Sequence, residues 1–362
     1  MRFIHTADLH LNVMLTHASF KNAKAHDIRL YELKDAFFRI LSYAKETTVD
    51  ALFIAGDLFD NASIKIHELS NIFERLESLP CKVFLLIGNH DAFLEDKTHQ
   101  NLLKKKNIYT FYKETPSHEI DYETVVYGIN TSDYSKAYLE ELNQSLDKSK
   151  QNILMLHGDV FNPKDDHFLS QVKVLESTDF DYIALGHIHK HEYLRNHIVY
   201  AGNPEPLDFK ETEKRGVIEG ELKDNHLDTS FKPMQKRMFN VITLKITPKD
   251  TLDTIRQKIS DAVSAPSKQK DFTRIILKGY RHESITIDTN KLRLYFEEDF
   301  HYLELKDETQ LALDYDALKA SYKDTLIDVL ITNYKAKKSP KHSDKTALDE
   351  ALIALLETEG RQ

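Results

Sequence analysis

The sequence contains a single cysteine, Cys81, and no tryptophan in 362 residues. One cysteine cannot form a disulfide within the chain, and residues 1–5 lack the cationic and then apolar layout of a secretory signal, so the expected compartment is the cytoplasm. No apolar run approaches the roughly 20 residues that a membrane span requires, so we expect no membrane-spanning segment.

An excess of basic residues is also missing, since 49 Lys and Arg stand against 58 Asp and Glu, a formal charge of −9. This balance argues against binding of nucleic acid through overall charge, although it permits a local cationic site. The 41% of hydrophobic and 30% of charged residues allow a sizeable core and exclude a disordered or fibrous chain. The length suggests two or three domains, and the 18 histidines are numerous enough to be located one by one.

The first 232 residues have the pattern of an α/β domain. Apolar runs predict strands at 3–4, 51–55 and 83–87, and apolar residues spaced three and four apart predict helices between them. This order implies neighbouring parallel strands joined by right-handed crossovers. Further strands are predicted at 124–129, 153–156, 182–185, 198–201 and 216–222, followed by a turn at Asp224-Asn225 into a strand that ends near Lys232.

The pattern changes near Pro233. Residues 241–305 suggest a small α+β module with a loop at Ala265-Pro266-Ser267, and from Thr309 the pattern is helical. The expected domains are therefore 1–232, 233–306 and 307–362. The terminal helices carry more apolar residues than a helical hairpin alone would bury. A basic run lies between them, and either a solvated linker or contact with a phosphate backbone would explain it: Lys335, Lys337, Lys338, Lys341 and Lys345.

Five short polar clusters each follow a predicted buried strand. In open sheets the carboxyl ends of parallel strands line one crevice, so residues far apart in the sequence can meet there. The clusters are Asp8-Leu9-His10, Gly56-Asp57-Leu58-Phe59-Asp60, Gly88-Asn89-His90-Asp91, His157-Gly158-Asp159 and Gly186-His187-Ile188-His189. Any one cluster is most simply a turn with satisfied surface histidines, and His189-Lys190-His191 is a chance His-x-His pair. All five at strand ends are not explained in that way.

Seven side chains of these clusters, here called the donor set, offer carboxylate, amide oxygen and imidazole: Asp8, His10, Asp57, Asn89, His157, His187 and His189. This mixture suits Mn²⁺, Fe²⁺ or Zn²⁺, and the absence of thiolates excludes a structural zinc knuckle. Seven ligands fit two metals if one carboxylate bridges them, and Asp57 is the candidate. Two divalent ions can clamp the attacking and leaving oxygens at phosphorus. Because only two of the seven carry negative charge, we expect a net positive site that attracts a phosphodiester.

The same motifs resemble those of calcineurin-like metallophosphoesterases. More closely, residues 3–11, residues 54–60 and Tyr200-Ala201-Gly202-Asn203-Pro204 look like the SbcD/YhaO-type nuclease subunits of DNA double-strand-break repair. The resemblance is strong over about residues 1–232. In the rest of the chain only the layout of the predicted elements is similar. It implies an α/β fold with a two-layer β-sandwich core flanked by helices, a smaller α+β capping domain that touches DNA, and C-terminal helices that bind an SMC-like coiled-coil ATPase. Helices around 64–79 and 93–106 would build a homodimer by the same analogy.

The resemblance also implies roles for single residues. One metal, most simply Mn²⁺, would be held by Asp8, His10, Asp57 and His189, and a second by Asp57, Asn89, His157 and His187. His90 would contact the scissile phosphate and protonate the leaving oxygen, with Asp91 orienting its ring. Asp60 stands where archaeal relatives carry a histidine, so we expect it to support the ligands rather than replace that histidine. Six histidines have no motif around them and are interpreted as ordinary polar residues: His5, His17, His26, His67, His99 and His118.

These features favour a metal-dependent DNA nuclease, exonuclease or endonuclease, that works with an ATPase in DNA end processing. A small-molecule phosphodiesterase or phosphoprotein phosphatase on the same core is a second hypothesis, and a catalytically lapsed adaptor is a third. The complete donor set argues against the adaptor, and the additional domains argue against the phosphatase.

Overall fold

The computed structural model describes residues 1–13, 23–61, 63–224 and 226–359. Two compact units make up the chain, Met1–Phe239 and Asn240–Gln362. His17 and Asn225, the second residue of the predicted turn, lie outside the described residues. Among the residues described, no helix combines the length and the apolar character needed to cross a bilayer.

The described residues form fifteen strands and eleven α-helices. The strands are β1 (Arg2–Thr6), β2 (Ala51–Ala55), β3 (Lys82–Leu86), β4 (Ile108–Thr110), β5 (Ser117–Glu119), β6 (Thr124–Ile129), β7 (Gln151–His157), β8 (Tyr182–Gly186), β9 (Glu192–Arg195), β10 (Ile198–Tyr200), β11 (Gly216–Lys223), β12 (His226–Pro233), β13 (Phe239–Ile246), β14 (Phe272–Arg281) and β15 (Tyr302–Leu311). The helices are α1 (Ala23–Glu46), α2 (Ile66–Glu77), α3 (Gln100–Leu103), α4 (Lys136–Gln144), α5 (Val172–Glu176), α6 (Leu252–Asp261), α7 (Ala265–Lys270), α8 (Thr289–Tyr295), α9 (Tyr315–Ser321), α10 (Leu326–Lys335) and α11 (His342–Glu359).

Two six-stranded mixed sheets form the first unit, in the orders β12-β11-β1-β2-β3-β4 and β5-β6-β7-β8-β10-β9. Strands β1 to β4 are parallel neighbours, as are β6, β7, β8 and β10. Antiparallel strands close the edges, with β11 and β12 on the first sheet and β5 and β9 on the second. The predicted parallel β-α-β-α-β start is confirmed.

The core has the layers of a sandwich. Alternate residues of a strand point to opposite faces, so Phe53 and Phe84 pack between the two sheets while Leu52 and Leu85 pack against α1 and α2. A third cluster joins the outer face of the second sheet to α4 and α5. The predicted fold class, a two-layer β-sandwich flanked by helices, is confirmed.

The second unit is an α+β unit with the three-stranded sheet β13-β14-β15. Its end corrects one prediction, because β15 pairs with β14 in parallel register as far as Leu311 opposite Arg281, so Thr309 lies in a strand and not in a helix. The predicted loop at Ala265-Pro266-Ser267 is the first turn of α7, where proline is tolerated because its missing N–H would have no helical partner. Helices α9, α10 and α11 share an apolar cluster around Ile331.

Of the two helices expected for a homodimer, the structure forms the first as predicted and replaces the second by two short pieces. Helix α2 covers the first of them, with four apolar residues buried on one face. Residues 93–106 instead hold a 3₁₀ turn, Ala92–Glu95, and the short helix α3. The chain between them turns at Asp96, whose main-chain oxygen accepts from the amides of His99 and Gln100.

Candidate metal centre

The donor set lies where five strands end. Asp8 and His10 follow β1, Asp57 follows β2, Asn89 follows β3, His157 is the last residue of β7, and His187 and His189 follow β8. Strands β1, β2 and β3 are parallel neighbours in one sheet, β7 and β8 are parallel neighbours in the other, and β2 packs against β7 and β8. Their carboxyl ends therefore open into one cleft.

Four members of the donor set have a left-handed backbone, with φ of 52° at Asp8, 45° at His10, 51° at Asp57 and 95° at His187. This conformation costs a non-glycine residue about 1 to 3 kcal/mol and is typical of functional sites. Main-chain bonds hold the turns, because the Asp8 N–H donates to the Gly56 carbonyl and the His10 N–H to the Asp57 carbonyl, both at 3.1 Å.

Two glycines allow the ligands to approach each other. A Cβ at Gly88 would lie 2.2 Å from Asp57 Oδ1 and 2.5 Å from the Asp57 amide nitrogen. A Cβ at Gly56, where φ is 88°, would lie 2.3 Å from His157 Nδ1. No side chain fits in either space, so glycine at these positions is a condition for the arrangement of the donor set.

A first group of donors converges beside β1. Asp8, His10 and His189 each offer one ligand atom within 4.8 Å of the others. The Nε2 atoms of His10 and His189 are 3.1 Å apart. The Asp8 carboxylate also accepts from the His187 main-chain N–H, at 2.9 and 3.1 Å to its two oxygens, which fixes its direction.

A second group lies around His157. Its Nδ1 is 2.8 Å from the Ala55 carbonyl and must donate there, because a carbonyl can only accept. Its Nε2 then faces Asn89 Oδ1 at 3.0 Å and Asp57 Oδ2 at 3.2 Å. His187 Nδ1 lies 3.4 Å from the same Asn89 oxygen.

Asp57 lies between the groups, since its Oδ2 is 3.2 Å from His157 Nε2 and 3.9 Å from His10 Nε2. Its other oxygen accepts from the His90 main-chain N–H at 2.9 Å. Burial by itself would raise the pKa of Asp57, but His157 and His10 outweigh it and hold that pKa well below its usual range. A carboxylate that stays ionised between two sets of imidazoles is placed to bridge two cations.

The chemistry of the donors fits divalent metal. His157 Nε2 faces two acceptor oxygens, those of Asn89 and Asp57, so the space between the three atoms requires a positive charge. Without a metal a proton fills this need: burial opposes it, but Asp57 raises the pKa of His157 to about 9. A cation bound to the same three atoms would take the place of the proton.

His90 lies at the rim and differs from the donors in being exposed. Its Nδ1 is 2.7 Å from the Asp60 carbonyl and therefore donates, which leaves Nε2 available to a substrate. Its ring stands edge-on to that of His10, with centroids 5.0 Å apart. The Asp60 carboxylate is 3.3 Å from His10 Nδ1.

Asp91 was expected to orient the ring of His90, but its hydrogen bonds go to the main chain. Its buried carboxylate accepts from the main-chain N–H groups of Phe59 at 2.8 Å and Leu58 at 3.0 Å, and so ties the turn after β2 to the turn after β3. Burial and the charge of Asp57 raise the pKa of Asp91 to about 7. The ring of His90 is thus held by Asp60, and Asp91 holds the backbone of both turns.

Sequence reasoning missed Glu211. Its carboxylate lies 2.6 Å from Nδ1 of His189, in a segment with no metal-binding motif. Burial would raise the pKa of Glu211, but the hydrogen bond to His189 lowers it to about 2. Its neighbour Asn203 belongs to a motif that the sequence did single out, Tyr200-Ala201-Gly202-Asn203-Pro204, and the link to Glu211 could have been sought there.

The electrostatic expectation also changes. The sequence-based count set two divalent ions against Asp8 and Asp57, whereas the structure adds Asp60 behind His10 and Glu211 behind His189. Four carboxylates would balance the charge of two divalent ions, so a loaded centre would be less positive than Asp8 and Asp57 alone predict. In the basic run, Lys335 pairs with Asp316, Lys337 with Asp344 and Lys345 with the buried Asp349, so three of its five lysines already have a carboxylate partner.

The fold and the donor set together define the class of metal-dependent phosphoesterases. The Calcineurin-like phosphoesterase family matches residues 1–191, more than half of the chain, and the chain belongs to this family.

Several proteins resemble the chain in sequence or in structure. It is 28% identical over 261 residues to the DNA double-strand break repair protein Mre11 of Methanosarcina acetivorans, covering 68% of this chain and 41% of that protein. It is 26% identical over 298 residues to the uncharacterized metallophosphoesterase YhaO of Bacillus subtilis, covering 77% and 72%. It is 25% identical over 264 residues to the SbcD component of the nuclease SbcCD of Escherichia coli, covering 60% and 64%. A dimetal phosphatase structure from Danio rerio aligns with a TM-score of 0.41 at 11% identity, covering 65% of this chain and 96% of that one. The chain thus matches less than half of the length of the Mre11 protein of Methanosarcina acetivorans.

Proposed function

We propose that the chain is a DNA nuclease subunit that hydrolyses phosphodiester bonds with two divalent metals, Mn²⁺ in the first place. The observation that carries this proposal is the meeting of the donor set in one cleft with the exposed ring of His90 at its rim. Relatives named as a DNA double-strand break repair protein and as part of a nuclease support DNA as the substrate.

The metal ligands follow from the two groups of donors. One metal would be held by Asp8, His10, Asp57 and His189, and the other by Asp57, Asn89, His157 and His187. When bound, such a pair supplies Lewis-acid charge at the phosphate and activates water near neutral pH.

The chain's own groups do the rest. The left-handed turns at Asp8 and His10 hold the ligand atoms ready before metal arrives, so little reorganisation is needed on binding. His90, with the N–H of Nδ1 donating to the Asp60 carbonyl, would give a proton from Nε2 to the leaving oxygen in its doubly protonated imidazolium form and become neutral in doing so. The main-chain N–H of His90 donates a hydrogen bond to Asp57 Oδ1 at 2.9 Å, which holds the backbone of His90 next to the proposed bridging carboxylate.

Partners and compartment are part of the same proposal. On α10 the side chains of Leu326 and Val329 are 58% and 51% exposed, an apolar surface suited to an SMC-like coiled-coil ATPase. The second unit would cap the cleft and touch DNA, α2 would contribute to a homodimer, and the cytoplasm would be the compartment. We also propose that the chain has three functional domains, with boundaries near residues 232 and 306.

The test is a substrate panel with the full chain and Mn²⁺. Linear duplex DNA, single-stranded DNA and p-nitrophenyl phosphodiesters are incubated separately, with EDTA as control. We expect DNA cleavage that EDTA abolishes. Activity confined to the small ester would contradict the nuclease, and no activity on any substrate with both metals bound would favour the adaptor.

A further inference from the structure

The imidazole of His189 is held from behind by a carboxylate. Glu211 Oε1 lies 2.6 Å from Nδ1 of His189, so Nδ1 donates and the lone pair is on Nε2. That Nε2 is the atom 3.1 Å from Nε2 of His10. The side chain of Glu211 is 13% exposed, so water competes little for this bond.

The second oxygen of Glu211 binds the segment that carries it. Oε2 accepts from Asn203 Nδ2 at 2.8 Å and from the Leu207 N–H at 2.7 Å. The same segment also grips the main chain of the histidine, because the carbonyl of His189 accepts from the Asn203 N–H at 3.0 Å and from the Arg215 guanidinium. Residues 203–215 therefore hold both the ring and the backbone of His189.

A buried arginine anchors this segment to α1. Arg29 has no exposed surface, and its guanidinium donates to Glu205 Oε1 at 2.9 Å and to the Pro206 carbonyl at 2.6 Å. The other oxygen of Glu205 accepts from Arg39 at 2.7 Å. An arginine with two fixed donors sets both position and angle of what it binds.

We propose that Glu211 is a positioning residue for metal binding: it fixes the tautomer and direction of His189, and the buried pair of Arg29 and Glu205 fixes Glu211. The inference rests on the proposed role of His189 as a metal ligand. Because Glu211 touches one of the two groups of donors, its loss weakens one of the two metal-binding steps.

The experiment is a calorimetric titration of the metal-free full chain with Mn²⁺. Glu211→Ala is expected to weaken one binding step by about 10- to 100-fold, the usual effect of removing a partner behind a metal-binding histidine. Glu211→Gln keeps an oxygen that can accept from Nδ1 of His189, so its affinity for Mn²⁺ in that step should fall less. Glu213→Ala is the matched control, because that side chain is 49% exposed and pairs with Lys190 at 3.5 Å on the surface.

A purely structural role gives a different result. If Glu211 only stabilised its segment, both binding steps would weaken together with the melting temperature, and Gln would not restore the affected step. That result, or an unchanged titration in a folded Glu211→Ala chain, would overturn the inference. If Glu211→Ala does not fold, the titration of Glu211→Gln decides. Weaker Mn²⁺ binding in one step supports the inference, and weaker binding in both steps or unchanged binding overturns it.

The inference and the proposed function can fail separately. A chain that cleaves DNA and binds Mn²⁺ without dependence on Glu211 overturns only the inference. A chain whose Mn²⁺ binding depends on Glu211 but which leaves DNA intact supports the inference and contradicts the nuclease.

Discussion

His10 and His189 bring their Nε2 atoms to 3.1 Å from each other across 179 residues of sequence. Each ring has a carboxylate on its far side, Asp60 at 3.3 Å and Glu211 at 2.6 Å from the respective Nδ1. Because Nδ1 of His189 donates to Glu211, the lone pair of His189 is on Nε2 and faces Nε2 of His10. A cation between these two nitrogen atoms would stabilise the arrangement, so we expect metal there.

Replacement of His90 by Asn tests its proposed catalytic role. The ring is exposed and makes no part of either group of metal donors in the proposed assignment, so its loss should leave metal content unchanged. We expect DNA cleavage to fall by about 10²- to 10⁴-fold, the usual contribution of a general acid. Steady-state cleavage rates and metal analysis of the same sample measure both quantities.

The matched control for this variant is His226→Asn, because His226 is an exposed histidine at the start of the edge strand β12. It should cleave at the rate of the unaltered chain. Full cleavage by His90→Asn would remove His90 from the mechanism, and loss of metal would mean that it acts as a ligand.

Gly88→Ala tests the need for a close approach of the two turns. The new Cβ would meet Asp57 Oδ1 at 2.2 Å and the Asp57 amide nitrogen at 2.5 Å, and backbone cannot move aside easily. We expect a loss of about 1 to 3 kcal/mol in the free energy of unfolding and weaker binding of both metals, because Asp57 is the proposed bridge. Lys97→Ala, at an exposed position nearby, should change neither. Unchanged metal binding in Gly88→Ala would contradict the bridge.

Arg29→Met tests the buried charge network. The change leaves Glu32 and Glu205, both almost fully buried, without this cation at 2.9 Å. We expect a loss of about 3 to 5 kcal/mol in the free energy of unfolding, measured by urea denaturation. The matched control is Arg195→Met, which removes a surface ion pair with Glu176. It should lower the free energy of unfolding by less than about 1 kcal/mol. Equal effects of the two changes would contradict the account of the network.

His5 predicts a pH dependence of stability. It is fully buried with its Nδ1 2.8 Å from the Tyr182 hydroxyl, and burial lowers the pKa of His5 to about 3. Between pH 6.5 and about 3 the unfolded chain binds a proton that the folded chain does not, so the free energy of unfolding falls as pH falls. The contribution of this residue is about 1.4 kcal/mol for each pH unit in that window.

The measurement is urea denaturation of the unaltered chain and of His5→Phe at several pH values. The variant loses the hydrogen bond to Tyr182, so it should be less stable at pH 7, but its stability should fall less steeply below pH 6.5. Parallel curves would show that His5 does not titrate as the structure indicates.

The fold could be predicted from the sequence because buried parallel strands have a recognisable pattern. Ala51–Ala55 and Lys82–Leu86 are almost wholly apolar, and Gly-Asp or Gly-Asn follows each. Predictions from periodicity were wrong where the residues are compatible with two local structures. Pro266 can stand in a loop or in the first turn of a helix, and Thr309 continued a strand because β14 offered it a partner.

The site could be predicted only in part, for a similar reason. Residues at strand ends can be placed by topology, so the donor set could be gathered from sequence, while its role as ligand set stays a prediction. Glu211 lies in a loop whose path depends on Arg29 and Glu205, and no spacing reveals that. His5 looked like an ordinary polar residue because burial is not visible in a single histidine.

The most direct test of the account is the number of Mn²⁺ ions bound per chain, measured by equilibrium dialysis and elemental analysis of metal-free protein titrated with Mn²⁺. We expect two ions for the unaltered chain. We also expect Asp57→Asn to weaken the binding of both ions, because Asp57 lies between the two groups of donors. A folded chain that takes up no more than one ion at saturation, or an Asp57→Asn chain that still binds two with unchanged affinity, would contradict it.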